Sequence, residues 1–155
     1  MNIGIIVYSQ TNHTYSVAQM LQDKLSGDGH EVSIQGVGPA GQVKPGEIDV
    51  KFDELPDITP YDVLIFGSPV HGFALAPAMN AYLHQISSLD GKKIACYVTK
   101  GLPMDRTGGN QAIKQMTEIC ESKGGTVVGT GIVTWSFSRQ KKIDKLLAKF
   151  STLLK

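Results

Sequence analysis

The sequence has few cysteines, no long apolar run and almost no excess charge. Cys96 and Cys120 are the only cysteines in 155 residues, and their spacing suits neither a metal site nor a disulfide framework. No apolar stretch approaches the roughly 20 residues that a membrane helix needs, and no basic segment typical of a signal peptide opens the chain. A formal net charge of +1 gives no reason to expect nucleic acid as a partner. We therefore expect a cytoplasmic protein without a metal site, a membrane contact or a nucleic-acid partner.

The apolar residues alternate between short β-rich runs and stretches with helical periodicity. Strands that alternate with helices indicate parallel βαβ units, whose right-handed crossovers place helices on both faces of one sheet. We expect one α/β domain over residues 1–155, built on a doubly wound parallel sheet of five strands. The pattern predicts strands over 2–8, 31–35, 62–67, 93–99 and 126–133, and helices over 14–25, 77–87, 109–123 and 139–154.

Residues 36–60 do not follow this alternation. They contain four glycines and four prolines and show no helical period. Ile48, Val50 and Phe52 alternate with polar residues, which indicates a short extended piece. The second crossover helix belongs in this segment, and we expect it to be reduced or irregular.

Charge is distributed unevenly along the chain. Residues 47–62 contain six acidic residues and one basic residue, whereas residues 138–155 contain six basic residues and one acidic residue. The simplest interpretation is that these segments form two solvated faces of opposite sign. The alternative is that the basic residues of the last helix, Arg139, Lys141, Lys142, Lys145 and Lys149, meet an acidic partner.

Ligands of such a sheet bind beyond the carboxyl ends of its strands, where the strand order reverses. The first loop, residues 9–14, carries three hydroxyls and runs into a helix whose first amides are free to bind a phosphate. It contains no Lys or Arg and lacks the Gly-Lys-Ser/Thr ending of a triphosphate site, so it suits one terminal phosphomonoester. The alternative is an ordinary helix cap rich in Ser and Thr.

The loops after the third and fourth strands are also unusual. In the second loop, residues 68–76, Gly72 lies between His71 and Phe73, which indicates a close approach to a flat ligand or a turn with positive φ. The alternative is a tight turn whose rings pack on the core. The third loop, residues 99–109, is long and ends in two glycines, so it is either functional or a flexible connection. Trp135-Ser136-Phe137, after the fifth strand, is expected to pack, although a partner surface is an alternative.

With these three loops in order, the chain resembles the flavodoxins and flavodoxin-like FMN proteins over essentially its whole length. Ser9-x-Thr11-Asn12-x-Thr14 is similar to the family's hydroxyl-rich phosphate loop. The segment 67–72 resembles the loop that covers one face of the isoalloxazine, and 99–109 falls where the other flavin-contacting loop lies. The resemblance implies noncovalent FMN as cofactor and the strand order 2-1-3-4-5.

The resemblance also implies which residues bind the cofactor and where the chain departs from the family. The family usually has Gly where Asn12 stands, and it often flanks the flavin with Trp and Tyr, where this chain has His71 and either Leu102 or Met104. Electron-carrying members are commonly acidic, unlike this chain. The implied FMN-binding residues are Ser9, Gln10, Thr11, Asn12, His13, Thr14, Ser68, Pro69, Val70, His71, Gly72, Phe73, Thr99, Lys100, Gly101, Leu102, Met104, Gly108 and Gly109.

The functional hypothesis is an electron carrier that uses FMN between redox protein partners of unknown identity. No side chain is expected to act as a catalyst, because the flavin supplies the redox chemistry. The alternative is an FMN-dependent NAD(P)H:quinone-type oxidoreductase, and a third hypothesis is a flavin-free binding or signalling domain. A phosphoacceptor receiver domain is disfavoured, because Tyr8-Ser9 rather than an acidic pair follows the first strand. The sequence makes no prediction of oligomeric state.

Overall fold

Strands and helices alternate along the chain, as the sequence predicts. The computed structural model describes residues 1–101 and 108–155. No helix in these two ranges is both long enough and apolar enough to cross a bilayer. The helices are His13–Gly27 (α1), Pro77–Gln85 (α2), Gly109–Ser122 (α3) and Arg139–Leu153 (α4). The strands are Asn2–Val7 (β1), Glu31–Gly36 (β2), Gly38–Pro39 (β3), Phe52–Glu54 (β4), Val63–His71 (β5), Ala74–Leu75 (β6), Lys93–Lys100 (β7) and Thr126–Thr134 (β8).

Five parallel strands form the centre of the molecule in the order β2-β1-β5-β7-β8. This arrangement confirms the predicted doubly wound sheet, because β5, β7 and β8 are the third, fourth and fifth strands of the predicted order. On β1, which lies between β2 and β5, Ile5 is opposite Ile34 of β2 and Ile65 of β5. Ile3 and Ile6 are fully buried, as expected for a strand covered on both faces.

Two hydrophobic cores lie on opposite faces of the sheet. The first packs α1 and α4 against the sheet through side chains such as Leu21 and Phe150. The second packs α2 and α3 against the other face through Met79, Tyr82 and Met116. The two pairs of helices therefore cover both faces, as parallel crossovers require.

The crossover between β2 and β5 contains no helix in residues 37–61, all of which the structure describes. In its place β3 pairs with β4 in a short antiparallel ladder, and the Ala40 N–H donates to the Lys51 carbonyl at 2.9 Å. The expected irregular crossover is confirmed. The extended piece begins later than the alternation indicates, at Phe52, and Ile48 remains 50% exposed because it has no sheet to pack against.

Strand β5 runs beyond its predicted end because it continues into a tight hairpin with β6. Val70 pairs with Leu75 and His71 pairs with Ala74, which leaves Gly72 and Phe73 as the connection. Both have positive φ, +56° and +67°, the pattern of a type I′ turn. The turn with positive φ that the sequence indicated at Gly72 is therefore confirmed.

A side chain from β7 crosses beneath β5 at Gly67. A Cβ on Gly67 would lie 2.4 Å from Cζ of Tyr97, so only glycine leaves room for this ring. Tyr97 is fully buried, and its hydroxyl donates to the Thr14 carbonyl at 2.7 Å. Gly67 thereby allows Tyr97 of β7 to pass β5 and hydrogen-bond to the first turn of α1.

Candidate functional site

The first and third loops meet at the carboxyl edge of the sheet. The hydroxyls of Thr14 and Thr99 lie 2.9 Å apart, and both side chains are buried. The Tyr8 N–H donates to the Gly67 carbonyl at 3.1 Å, which brings the end of β1 beside β5. The three strands that precede the predicted loops therefore end next to one another, as the sheet order requires.

The start of α1 presents donors without a side-chain cap. Asn12, the N-cap residue, has a left-handed backbone with φ +68°, and its side chain makes no capping hydrogen bond. The N–H groups of His13 and Thr14 have no hydrogen-bond partner in residues 1–101 and 108–155. Asn tolerates this backbone better than most residues, which explains how it replaces the Gly of the resembled loop. Free amides at a helix start bind anions.

The hydroxyls of the first loop differ in exposure. Thr11 is exposed and Ser9 is half-buried, with its Oγ accepting from the Tyr15 N–H at 3.3 Å. Thr14 is 1% exposed and shares a hydrogen bond with Thr99. Each of these two hydroxyls has one proton and their mutual bond uses one, so the other is available to a third group. The direct phosphate contact of Thr14 stays a prediction.

The second loop places His71 beside Tyr8 and projects Phe73 into solvent. The imidazole of His71 meets the Tyr8 ring edge-on, with ring centroids 6.2 Å apart. Burial lowers the pKa of His71, so its neutral form is favoured. The alternative in which both rings pack on the core is wrong for Phe73, which is 62% exposed. The side chain of Ser68 is fully buried, and Pro69 and Val70 are half-buried.

Phe73 has a strained backbone, although its side chain is exposed and gains no burial from this conformation. A left-handed φ is unusual for a bulky side chain, and such outliers cluster at functional sites. Gly108 lies directly against this turn, since a Cβ on Gly108 would lie 2.4 Å from the Phe73 Cα. Gly108 therefore approaches another backbone closely. It fixes the end of the third loop against the second.

Only part of the third loop can be described. Lys100 is 7% exposed, and its carbonyl accepts from the Trp135 N–H at 2.7 Å. Gly101 is exposed, and its carbonyl accepts from the Ser136 hydroxyl. A Cβ on Gly109 would lie 3.3 Å from Cδ of Lys100. The predicted flavin-covering residues Leu102 and Met104 lie outside the described residues.

A cluster beside the first loop was not predicted. His13 stacks on Trp135 with ring centroids 4.0 Å apart and an interplanar angle of 11°. The guanidinium carbon of Arg139 lies 4.6 Å from the centroid of the same Trp ring. His13 is far from Trp135 and Arg139 in sequence, so no spacing connects it to them. The cluster brings a permanent positive charge next to a loop that has none of its own.

The expectation that residues 135–137 pack is confirmed for Trp135 and wrong for Phe137. Trp135 contacts the core formed by α1 and α4. Phe137 is 60% exposed and immediately precedes Ser138, the N-cap residue of α4. No cluster of three or more potential metal-ligating side chains occurs in the described ranges.

Solved structures with this fold are flavodoxins and flavoproteins. A flavodoxin from Streptococcus pneumonia TIGR4 has a TM-score of 0.72 at 17% identity, covering 99% of this chain and 97% of that chain. Oxidised flavodoxin 1 from Bacillus cereus has a TM-score of 0.69 at 18% identity, covering 100% of both chains. A flavoprotein from Lactobacillus acidophilus NCFM, in complex with FMN, has 0.66 at 15% identity, covering 93% and 97%. No protein-family model and no curated protein matches the chain. The likenesses confirm the flavodoxin-like fold.

Replacing Phe73 by Gly is expected to stabilise the fold. Relief of a strained φ recovers about 1–3 kcal/mol, against about 0.5–1 kcal/mol for the added freedom of Gly in the unfolded chain. We expect urea denaturation to show a free energy of unfolding higher by about 1 kcal/mol. Phe137→Gly is the control, because Phe137 is similarly exposed and has no positive φ. A Phe73→Gly protein no more stable than wild type would show that the turn is unstrained.

The lowered pKa of His71 predicts a pH-dependent contribution to stability. At a pH well above about 6.5, the ordinary pKa of histidine, the imidazole is neutral in the folded and unfolded states. As the pH falls below that value, the unfolded chain binds the proton more readily, so the free energy of unfolding decreases and levels off below the folded pKa. Urea denaturation of wild type and His71→Gln across this range should show a steeper loss in wild type. Parallel curves would contradict the pKa shift, because the other histidines are common to both proteins.

Proposed function

We propose that the protein binds FMN noncovalently at the carboxyl edge of its sheet and transfers electrons. The observation that carries the proposal is the first loop, in which uncapped amides and hydroxyls converge at the start of α1. Proteins of the same fold support it, since the Lactobacillus acidophilus flavoprotein and a Fusobacterium nucleatum flavodoxin were crystallised with FMN. The donor set suits a phosphomonoester because it contains neutral donors at the positive end of a helix dipole.

The three loops contact different parts of FMN in this proposal. Ser9, Thr11 and Asn12, with the first amides of α1, hold the phosphate. The second and third loops hold the ring system between 68–73 and 99–109. FMN supplies one- or two-electron redox chemistry, and the protein controls the ring's access and orientation.

The second loop brings no permanently charged side chain to the proposed ring, whereas Lys100 lies at the start of the third loop. Burial keeps the His71 imidazole neutral near pH 7, so it offers one hydrogen-bond donor and one acceptor. Phe73 offers an exposed aromatic face on a turn that Gly108 fixes in place. The Arg139 cluster places a cation beside the first loop, at the proposed phosphate end.

The first test is the preference of the protein for FMN over riboflavin, which differ by the phosphate. A charge-assisted hydrogen bond contributes about 1.5–3 kcal/mol, so two of them make FMN bind at least about a hundredfold tighter. Flavin fluorescence titration measures both affinities. Thr11→Val should weaken FMN binding and leave riboflavin binding unchanged, whereas Thr152→Val, a remote exposed position on α4, should change neither. Equal affinities for the two flavins would refute the phosphate site.

We propose further that the electron partner is an acidic redox protein that docks on α4. Arg139, Lys141, Lys145 and Lys149 are exposed on this helix, and Phe137 is exposed at its start. The loop before α4 is hydrogen-bonded to the third loop through Lys100 and Gly101, so a partner on α4 lies beside the proposed flavin edge.

Stopped-flow electron transfer tests this docking with an acidic iron–sulfur ferredoxin as the probe. The rate should fall as salt rises, since the Debye length is about 8–10 Å at physiological ionic strength. Lys141→Glu with Lys145→Glu should lower the low-salt rate and flatten its salt dependence. Lys44→Glu with Lys51→Glu is the control with the same change in net charge. Rapid direct reduction by NADH or NADPH, with no effect of the α4 charges, would instead favour the reductase.

A further inference from the structure

The crossover that lacks a helix leaves a cleft beside the second loop. The cleft has a volume of about 940 Å³ and lies between the segment 39–46, here called the strap, and the hairpin of β5 and β6. Its floor is formed by the start of α2 at Pro77 and Ala78. The volume falls in the range of small-molecule sites, about 300–1,000 Å³.

Hydrogen bonds hold the segment that contains the strap. The Ala40 N–H donates to the Lys51 carbonyl at 2.9 Å, and the Lys44 N–H donates to the nearby Glu47 carboxylate at 3.0 Å. Beyond the strap, the Gln85 side chain of α2 donates to the Val50 carbonyl at 2.6 Å, which ties this segment to the helix that lines the cleft.

The lining of the cleft is polar but uncharged. No Lys, Arg, Asp or Glu occurs among its described lining residues. Four carboxamide side chains face it, together with the Tyr8 and His71 rings and a rim of apolar groups. These carboxamides belong to Gln10, Gln42, Asn80 and Gln115.

The donors in the cleft favour a ligand with acceptor oxygens. Oε1 of Gln115 accepts from the Leu75 N–H at 2.9 Å, so the amide nitrogen of Gln115 is the end left to donate. An ionised ligand would lose hydration without gaining an opposite charge, because the described lining supplies none. Flat rings on the ligand suit the Tyr8 and His71 rings and the apolar rim.

We propose that this cleft binds a neutral, planar ring compound bearing carbonyl oxygens, of the quinone class. The cleft shares Gln10, Val70, His71 and Gly72 with the residues assigned to FMN, whereas its other lining residues are not among them. A ligand there would therefore lie beside the proposed flavin. The binding itself rests on the cleft, and only its redox meaning rests on the proposed function.

Duroquinone is the probe, because its ring is fully methylated and cannot alkylate the thiols of Cys96 and Cys120. Titration of the ¹⁵N-labelled protein, with and without FMN, should shift the side-chain amides of Gln42 and Asn80 and the backbone of the strap. Binding should persist when FMN is bound. Shifts confined to residues 9–14, or abolished by FMN, would overturn the cleft assignment.

A pair of matched glycine variants tests the location. Gly41 lines the cleft, and a Cβ there meets no atom within 4 Å, so Gly41→Trp should fill the cleft and weaken duroquinone binding at least about tenfold. Gly27 has equally open surroundings at the far end of α1, so Gly27→Trp should bind as wild type does. Unchanged binding by Gly41→Trp refutes the proposal.

Asn80→Leu gives a second, smaller change in case Gly41→Trp does not fold. It replaces one carboxamide by an apolar side chain with the same branching and should weaken binding several-fold without moving the urea midpoint. Wild-type affinity in this variant, with intact shifts at the strap, would show that the Asn80 carboxamide does not bind the ligand. That result would overturn the proposed ligand class. If FMN fails to bind but duroquinone still shifts the strap, the proposed function fails and the cleft assignment stands.

Discussion

The hydrogen bond from the Tyr97 hydroxyl to the Thr14 carbonyl is the contact on which the candidate site depends. It joins β7 to the first turn of α1 through the buried core, and the Thr14 and Thr99 hydroxyls add a second link at the same level. A buried tyrosine hydroxyl without a partner would be costly. The bond therefore fixes where α1 begins, and with it the direction of the free amides. The glycine at position 67 is the steric condition for this bond, because any side chain there would occupy the place of the ring.

A second constraint couples the other two loops. The hairpin of β5 and β6 holds Phe73 in a left-handed backbone, and Gly108 packs against that turn with no space for a Cβ. The end of the third loop thus follows the position of the second. The proposed phosphate end of the site is built on helix α1 and strand β7, whereas the proposed ring end is built on a hairpin and a loop. Rigid elements position binding groups more precisely than loops do, so the proposed phosphate end is the more rigidly built part of this edge.

Much of the fold was predictable because the two periodicities of the chain are clear. The runs around Ile5 and Ile65 read as strands covered on both faces, and the strand order followed from the resemblance. The structure adds long-range side-chain contacts that the sequence pattern does not contain. The stacking of His13 on Trp135 joins a loop near the start of the chain to one near its end. The contact of Gly67 with Tyr97 depends on the register of β5 against β7. Neither a propensity nor a spacing encodes such contacts. Phe73 was predicted as a site residue, but its strain could not be predicted, because the hairpin with β6 lay outside the predicted strand.

The irregular crossover distinguishes this chain from a regular doubly wound domain, in which a helix connects each pair of successive parallel strands. No helix lies in residues 37–61, and a cleft lies between the strap and the hairpin of β5 and β6 instead. The strap instead leaves uncharged carboxamides facing the hairpin, while the acidic residues of the crossover lie mainly in its second half, toward β4. The basic residues are concentrated on α4, which packs on the opposite face of the sheet. A charged macromolecule and a neutral small molecule would thus approach the same edge from different faces. A partner on α4 and a ligand in the cleft would therefore not compete for the same surface beside the proposed flavin. The absence of a helix from the crossover is the feature that leaves room for the cleft.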